Sequence, residues 1–241
     1  MITTAHGTFH VNFILKHITR WGDKVFVVSE DIRKYIKENY DVLESDIYNT
    51  INGINLDKFK PSDMKDKKSI VHISRLEKDT SLIARYLIEY GKNHRDQTIT
   101  IVGDGEELNN LQKMAIGLDN IIFTGKASDV SKYLDSAKIF VGISRASLEA
   151  MCYNIPIILG GDYGYMGILT EDKLKLAEFN NFTARDTELT TYEALSRDLD
   201  TLINAVEKID YSWERKYIEK NYSVEKMVDR YEEVYKLYLE D

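Results

Sequence analysis

Five short, unbroken apolar runs follow one another between Ser69 and Leu159: SIVHIS, TITIVG, NIIFTG, KIFVG and IPIIL. Stretches with helical periodicity separate them. Strands that are apolar on both sides must be buried on both sides, as a parallel sheet covered by crossover helices requires and a half-wet antiparallel meander does not. The pattern therefore predicts a doubly wound α/β layer. Helices are expected over residues 80–94, 106–116 and 128–136, with a further one that carries Glu149 near its start. Ligands of such sheets bind beyond the carboxyl ends of the strands. The loops to inspect are thus 74–78, 103–107, 125–127, 142–147 and 160–167.

The flanks are less regular. MITTA is β-prone and ends at His6-Gly7. The next stretch sets Phe9, Phe13, Ile14 and Ile18 on one helical face, and Gly22 stops it. KVFVV predicts a second strand, with Ser29 as N-cap of a helix over 30–40 and Asp31 in its first turn. A third apolar run covers 47–51 before the turn at Asn52-Gly53, and the polar stretch 62–69 reads as a connector. Two β–α pairs are too few to close a core. Residues 1–45 are accordingly expected to be the partial N-terminal β–α remnant of a larger Rossmann-like domain. Residues 46–210 form the main Rossmann-like unit, and 211–241 a pair of C-terminal helices split near 221–223. Before them come a helix over 170–179, the polar break NNFTARD and a long amphipathic helix over 192–209.

A net charge of −8 over 241 residues argues against nucleic acid as the main partner. The lone cysteine, Cys152, precludes an intramolecular disulfide and reads as a small buried residue. No apolar run approaches the ~20 residues that span a bilayer. The expectation is a cytoplasmic protein with at most peripheral membrane contact.

Several residues carry chemistry. Arg75 and Lys78, in SRLEKD, leave a strand end as cations suited to a diphosphate or, equally, as solvated surface charges. IVGDGEEL has a G-x-G at Gly103 but not the third glycine of a dinucleotide fingerprint, so it is a tight turn or a phosphate cradle. Gly125 ends the next strand. Glu149 is either a dipole-favoured helix carboxylate or an acceptor for paired ribose or sugar hydroxyls. The helix start around Ala146, Ser147 and Leu148, with Arg145, would meet phosphate oxygens. GGDYGYMG suits a ligand-covering loop or an ordinary turn whose backbone is closely approached. No cluster of metal ligands is visible, and no cofactor is expected.

In order and spacing, VVSEDIRKYI, NTINGINLDKFKP, ISRLEKD, IVGDGEEL and IIFTGKASDVSKYLDSAKIFVGISRASLEAMCYNIPII resemble the retaining group 1 (family four) glycosyltransferases of the GT-B fold. The resemblance implies the C-terminal, donor-binding domain of such an enzyme, a hexosyltransferase of polysaccharide biosynthesis, with a truncated N-terminal domain. By position, Arg75 and Lys78 become the diphosphate cations and Glu149 the ribose-binding acid. His6 resembles the histidine that faces the donor sugar. The implied catalytic residues are His6, Arg75 and Lys78, and the cations take the place of a metal. Two positions depart from the pattern: Val141 stands where the family's E-x(7)-E pair begins, and Thr80 where its second cation lies. The implied partners are a nucleotide-sugar, a glycan or lipid-linked acceptor, and a separate N-terminal-half subunit or a second copy. Trp213, Tyr217, Tyr222 and Tyr231 would supply the docking surface. The alternative is a non-catalytic nucleotide-sugar-binding or scaffold subunit.

Overall fold

The computed structural model describes residues 1–7, 16, 18–62, 67–205 and 209–240. Phe9, Phe13 and Ile14 of the expected first helical face lie outside the described residues. So do 63–66 of the connector and 206–208 of the expected long helix.

A small sheet comes first. It comprises β1 (Ile2–Ala5), β2 (Lys24–Val27) and β3 (Ile47–Asn49), all parallel and in that order, with α1 (Glu30–Asn39) packed on one face. β3 was read from the sequence as the start of the larger unit. Its register, Val25 opposite Ile47 and Val27 opposite Asn49, places it in the small sheet instead.

The large sheet contains β4 (Ser69–Ile73), β5 (Thr98–Val102), β6 (Ile121–Phe123), β7 (Ala137–Gly142), β8 (Ile157–Gly161) and β9 (Gly164–Ile168). The spatial order is β6-β5-β4-β7-β8-β9, and only β9 runs antiparallel. The crossovers are α2 (Leu82–Asn93), α3 (Leu108–Met114), α4 (Ser131–Asp135) and α5 (Ser144–Met151). Successive strand residues point to opposite faces. Ile70, Ile139, Val141 and Ile158 accordingly enter one core, and Val71, Phe140, Ile157 and Leu159 the other. The doubly wound layer expected from the apolar runs is the observed fold.

The glycine-rich stretch forms the β8–β9 hairpin. A Cβ on Gly160 would stand 2.5 Å from the Tyr165 ring, and one on Gly164 would stand 1.9 Å from the Ala184 carbonyl oxygen. These glycines admit close packing.

Four helices complete the chain: α6 (Leu174–Phe179), α7 (Tyr192–Ala205), α8 (Ser212–Asn221) and α9 (Val224–Glu240). α7 buries Leu195, Leu199 and Leu202 against one face of the large sheet. The polar break between α6 and α7 is a folded, mostly buried loop in which Asn181, Phe182, Ala184 and Asp186 all take positive φ. From it Arg185 reaches the small sheet's helix, donating to Asp31 Oδ2 through Nε at 2.9 Å and Nη2 at 2.5 Å. α9 lies over β1–β3, with the Tyr231 ring 4.2 Å from Phe26 and its hydroxyl 3.1 Å from Thr4 Oγ1. Among the four aromatics expected to dock a missing half, Tyr231 therefore meets the small sheet. Trp213, Tyr217 and Tyr222 pack on the large core, because α8 lies along α5.

Candidate functional site

Chain order reverses between β4 and β7, which are neighbours in space although β5 and β6 intervene in sequence. Their crossovers leave on opposite faces, and the loops diverge above the strand ends into a crevice. A cavity of about 740 Å³ opens there, lined by Arg75, Gly103, Arg145 and Glu149 together with Asp104, Lys126 and Val130. Arg75, Gly103, Arg145, Ala146 and Glu149, all singled out in the sequence, thus line one cavity.

Glycine at 103 is a steric requirement. Its φ is +148°, and a Cβ there would sit 1.9 Å from the Ser74 carbonyl oxygen. Ser74 N–H donates to Val102 O at 3.1 Å, and Gly103 N–H to Gly125 O at 3.1 Å, so three strand ends are laced side by side. Gly125 supports Gly103 from behind and lies outside the cavity lining. Glu107 accepts from Arg85 Nη2 at 2.6 Å.

Ser144 takes φ +59° and gives its N–H to Phe182 O at 2.6 Å, which starts α5 directly after Ile143. Glu149 consequently stands in the second turn of α5, where the first was expected. Arg145 occupies the first turn, a place where the helix dipole opposes a cation unless an anion faces it. Among the described residues no side chain caps this helix start. Arg145 Nε donates to Glu149 Oε1 at 2.9 Å, the guanidinium about half exposed at 54% and the carboxylate at 12%. Burial raises the Glu149 carboxyl above its ordinary range, against the pull of Arg145 and, more weakly, of Lys58.

The other expected residues lie elsewhere. Ser147 and Leu148 are fully buried on the core side of α5, and Ser147 Oγ has no hydrogen-bond partner among the described residues. Their side chains do not reach the cavity because helical spacing turns them inward. Lys78 is exposed and lines neither this cavity nor its neighbour. Thr80, where the family's second cation would lie, turns its hydroxyl onto Arg75 O and so shapes the loop. His6 is exposed just past β1 and also lies outside both cavities. Val141 is buried within β7, so the first position of the acidic-pair pattern is core here.

A second cavity, of about 180 Å³, shares Ile73, Ser74 and Arg75 with the first and continues to Asp79, Gly161 and Asp162. His72 lines it, and the sequence reading passed it over. Its Nδ1–H donates to Val141 O at 2.8 Å, which leaves Nε2 to accept from Ser74 Oγ at 2.9 Å. Burial holds this imidazole neutral, with its pKa lowered to about 4. A polar residue inside the apolar run SIVHIS was the available signal. Among the described residues no group of three or more His, Cys, Asp or Glu is placed to hold a metal ion, and no helix is long and apolar enough to cross a membrane.

This fold, a mostly parallel sheet with a crevice at its reversal, is that of the GT-B glycosyltransferases. The model of the family Glycosyl transferases group 1 matches residues 67–178, and this is the family that the motifs resemble. An uncharacterized glycosyltransferase of Haemophilus influenzae is 27% identical over 184 residues, 66% of this chain and 49% of that protein. The chain thus spans about half the length of this curated relative. Among solved structures, a glycosyltransferase from Rickettsia africae superposes with a TM-score of 0.75 at 20% identity, covering 100% of this chain and 71% of that one. Anabaena Alr3699/HepE in complex with UDP and glucose gives 0.72 at 14% identity, covering 97% and 71%.

Proposed function

We propose that this chain is the donor-binding part of a retaining glycosyltransferase, which moves a sugar from a nucleoside diphosphate sugar to a glycan or lipid-linked saccharide acceptor. The observation that carries this reading is the convergence of Arg75, Arg145 and Glu149 on one cavity at the strand-order reversal. Glu149 accepts the ribose hydroxyls. Arg75, Arg145 and the uncapped start of α5 face the diphosphate and neutralise the charge that builds on it as the glycosidic bond breaks. These cations act in place of a metal, with Lys78 joining from the rim. Retention follows if the departing diphosphate takes the acceptor's proton on the same face. His6, just past the end of β1, faces the donor sugar, and a separate N-terminal-half subunit or a second copy supplies the acceptor side. The UDP and glucose held by the Anabaena protein support a nucleotide-sugar as donor.

A second reading, a non-catalytic nucleotide-sugar-binding subunit, is favoured by Val141, whose burial removes the first acid of the family pattern from the site. Titration with UDP, GDP and ADP tests what the two readings share. Saturable binding of one of them, weakened at least tenfold by Arg75→Ala and by Glu149→Ala, is expected, and no saturation with any of the three overturns both. Turnover of the matching nucleotide-sugar separates the two readings.

A further inference from the structure

We propose that the smaller cavity receives the sugar ring of the donor, and that it selects a neutral, hydroxylated ring over one bearing a carboxylate. This rests on the reading of the larger cavity as the nucleotide site. Along a nucleoside diphosphate sugar the order is ribose, diphosphate, sugar. Along the crevice the order is Glu149, then Arg75, then the smaller cavity, because Arg75 lines both chambers and Glu149 only the larger one. A diphosphate held at the shared wall places its sugar beyond that wall. The second chamber, about 180 Å³, is some six times the ~30 Å³ share of a liquid water. That volume is too small for a nucleoside and sufficient for one monosaccharide ring.

Acceptors lead the polar lining: the Thr80 and Tyr163 hydroxyls spend their hydrogens on Arg75 O and Asp79, and Ser144 adds one hydroxyl. Asp79 and Asp162 both border the chamber. Asp162 Oδ2 accepts the Leu82 backbone N–H at 3.3 Å, and the carboxylate's four lone pairs leave it able to take a further donor. Asp79 Oδ2 takes the Tyr163 hydroxyl at 3.0 Å. Ser74 belongs to the same set through His72. With the His72 Nδ1–H fixed on the Val141 carbonyl, the Ser74 hydroxyl hydrogen is committed to Nε2, and only oxygen lone pairs are left for a ligand. Sugar hydroxyls donate to such a wall. A ring carboxylate would meet two carboxylates and the lone-pair-only Ser74 hydroxyl, and Arg75, the one lysine or arginine among the described residues that line the chamber, is already engaged by the diphosphate. The floor, Gly160 and Gly161, has no side chains, because Tyr165 and Ile143 fill the space where a Cβ would stand.

Calorimetric titration of the full chain with UDP, UDP-glucose and UDP-glucuronate tests the assignment, with Asp162→Asn and Asp79→Asn as variants. UDP-glucose is expected to bind more tightly than UDP, and UDP-glucuronate about tenfold more weakly than UDP-glucose. In the Asp162→Asn protein the advantage of UDP-glucose over UDP shrinks about tenfold, while the affinity for UDP itself stays within about twofold and reports an intact fold. Asp79→Asn acts in the same direction. Equal weakening of UDP and UDP-glucose, or tighter binding of the glucuronate, overturns the sugar assignment alone. Where GDP or ADP is the nucleotide bound, its glucose and glucuronate conjugates replace the UDP compounds. Absence of binding by UDP, GDP and ADP alike overturns the nucleotide reading beneath this inference, and the inference with it.

Discussion

Arg145 and Glu149 face each other across one turn of α5, Nε to Oε1 at 2.9 Å, at the rim of the larger cavity. The pair is set before any ligand arrives. Its cation sits where the helix dipole disfavours it and its carboxylate is mostly buried, so both partners have something to gain from a ligand that brings phosphate to one and hydroxyls to the other.

Glu149 is the acceptor whose loss is most direct to read. Glu149→Gln is expected to weaken the best-bound nucleoside diphosphate about 10-fold to 100-fold, the worth of a charge-assisted hydrogen bond. A 2′,3′-dideoxy analogue should lose affinity for the wild-type chain and lose little further for the variant. Because burial raises the Glu149 carboxyl, it protonates at higher pH than an ordinary glutamate near ~4.3. Affinity should therefore fall on acidification from above that value, and the fall should be absent in Glu149→Gln.

Gly103→Ala tests the lacing of the strand ends. The added methyl meets the Ser74 carbonyl oxygen at 1.9 Å on a backbone with φ +148°. The loops carrying Arg75 and Asp104 must part. A loss of about 2 kcal/mol or more in denaturant unfolding, together with loss of nucleotide binding, is the expected result.

Arg185 joins the two sheets through Asp31, with side-chain exposures of 23% and 9%. Arg185→Ala leaves the mostly buried Asp31 carboxylate without its cation. Thermal unfolding should shift down by several degrees, as expected from about 1.5–3 kcal/mol in a chain of this size. Hydrogen exchange should rise first in α1 and β2.

Glu214 is fully buried in α8, and neither carboxylate oxygen has a hydrogen-bond partner among the described residues. Burial pushes its carboxyl well above the usual range, against smaller pulls from the Ile155 backbone and the Lys67 ammonium. The folded chain therefore keeps a proton that the unfolded chain releases near pH ~4.3. This group costs nothing below that pH, and stability falls as the pH rises from there toward the folded value. Glu214→Gln has no such proton and should flatten the melting temperature between pH 4.5 and 7, raising it at pH 7.

Cys152 is buried, with its thiol pushed up to about 12 chiefly by burial. A thiol reagent should label it in denaturant and leave it unmodified in the native chain for hours.

Much of this was legible in the chain itself. The five apolar runs announce the parallel sheet because burial on both faces leaves no room for polar alternation, and Arg75, Gly103 and Arg145 fall where strand-end loops must lie, with Glu149 one helical turn beyond. What was not legible depends on distant partners. The start of α5 needs Ser144 at positive φ, and the Phe182 carbonyl that takes its N–H comes from a loop that reads only as a polar break. The pairing of β3 is decided by β2, since a three-residue strand has too little pattern to declare its sheet. The orientation of Ser74 depends on a histidine whose role appears only when β4 lies beside β7.

The cover that α9 lays over the small sheet has a consequence for synthesis. Phe26 is fully buried, and the rings that meet it include Tyr231 and Tyr235, some two hundred residues later in the chain. Chains emerge amino end first, at about 5–20 residues per second. The apolar face of β1–β3 must therefore wait beside the ribosome for at least about ten seconds, through the folding of the whole large sheet, before its lid is made. Until α9 emerges, that face is open to a chaperone, which α9 must then displace.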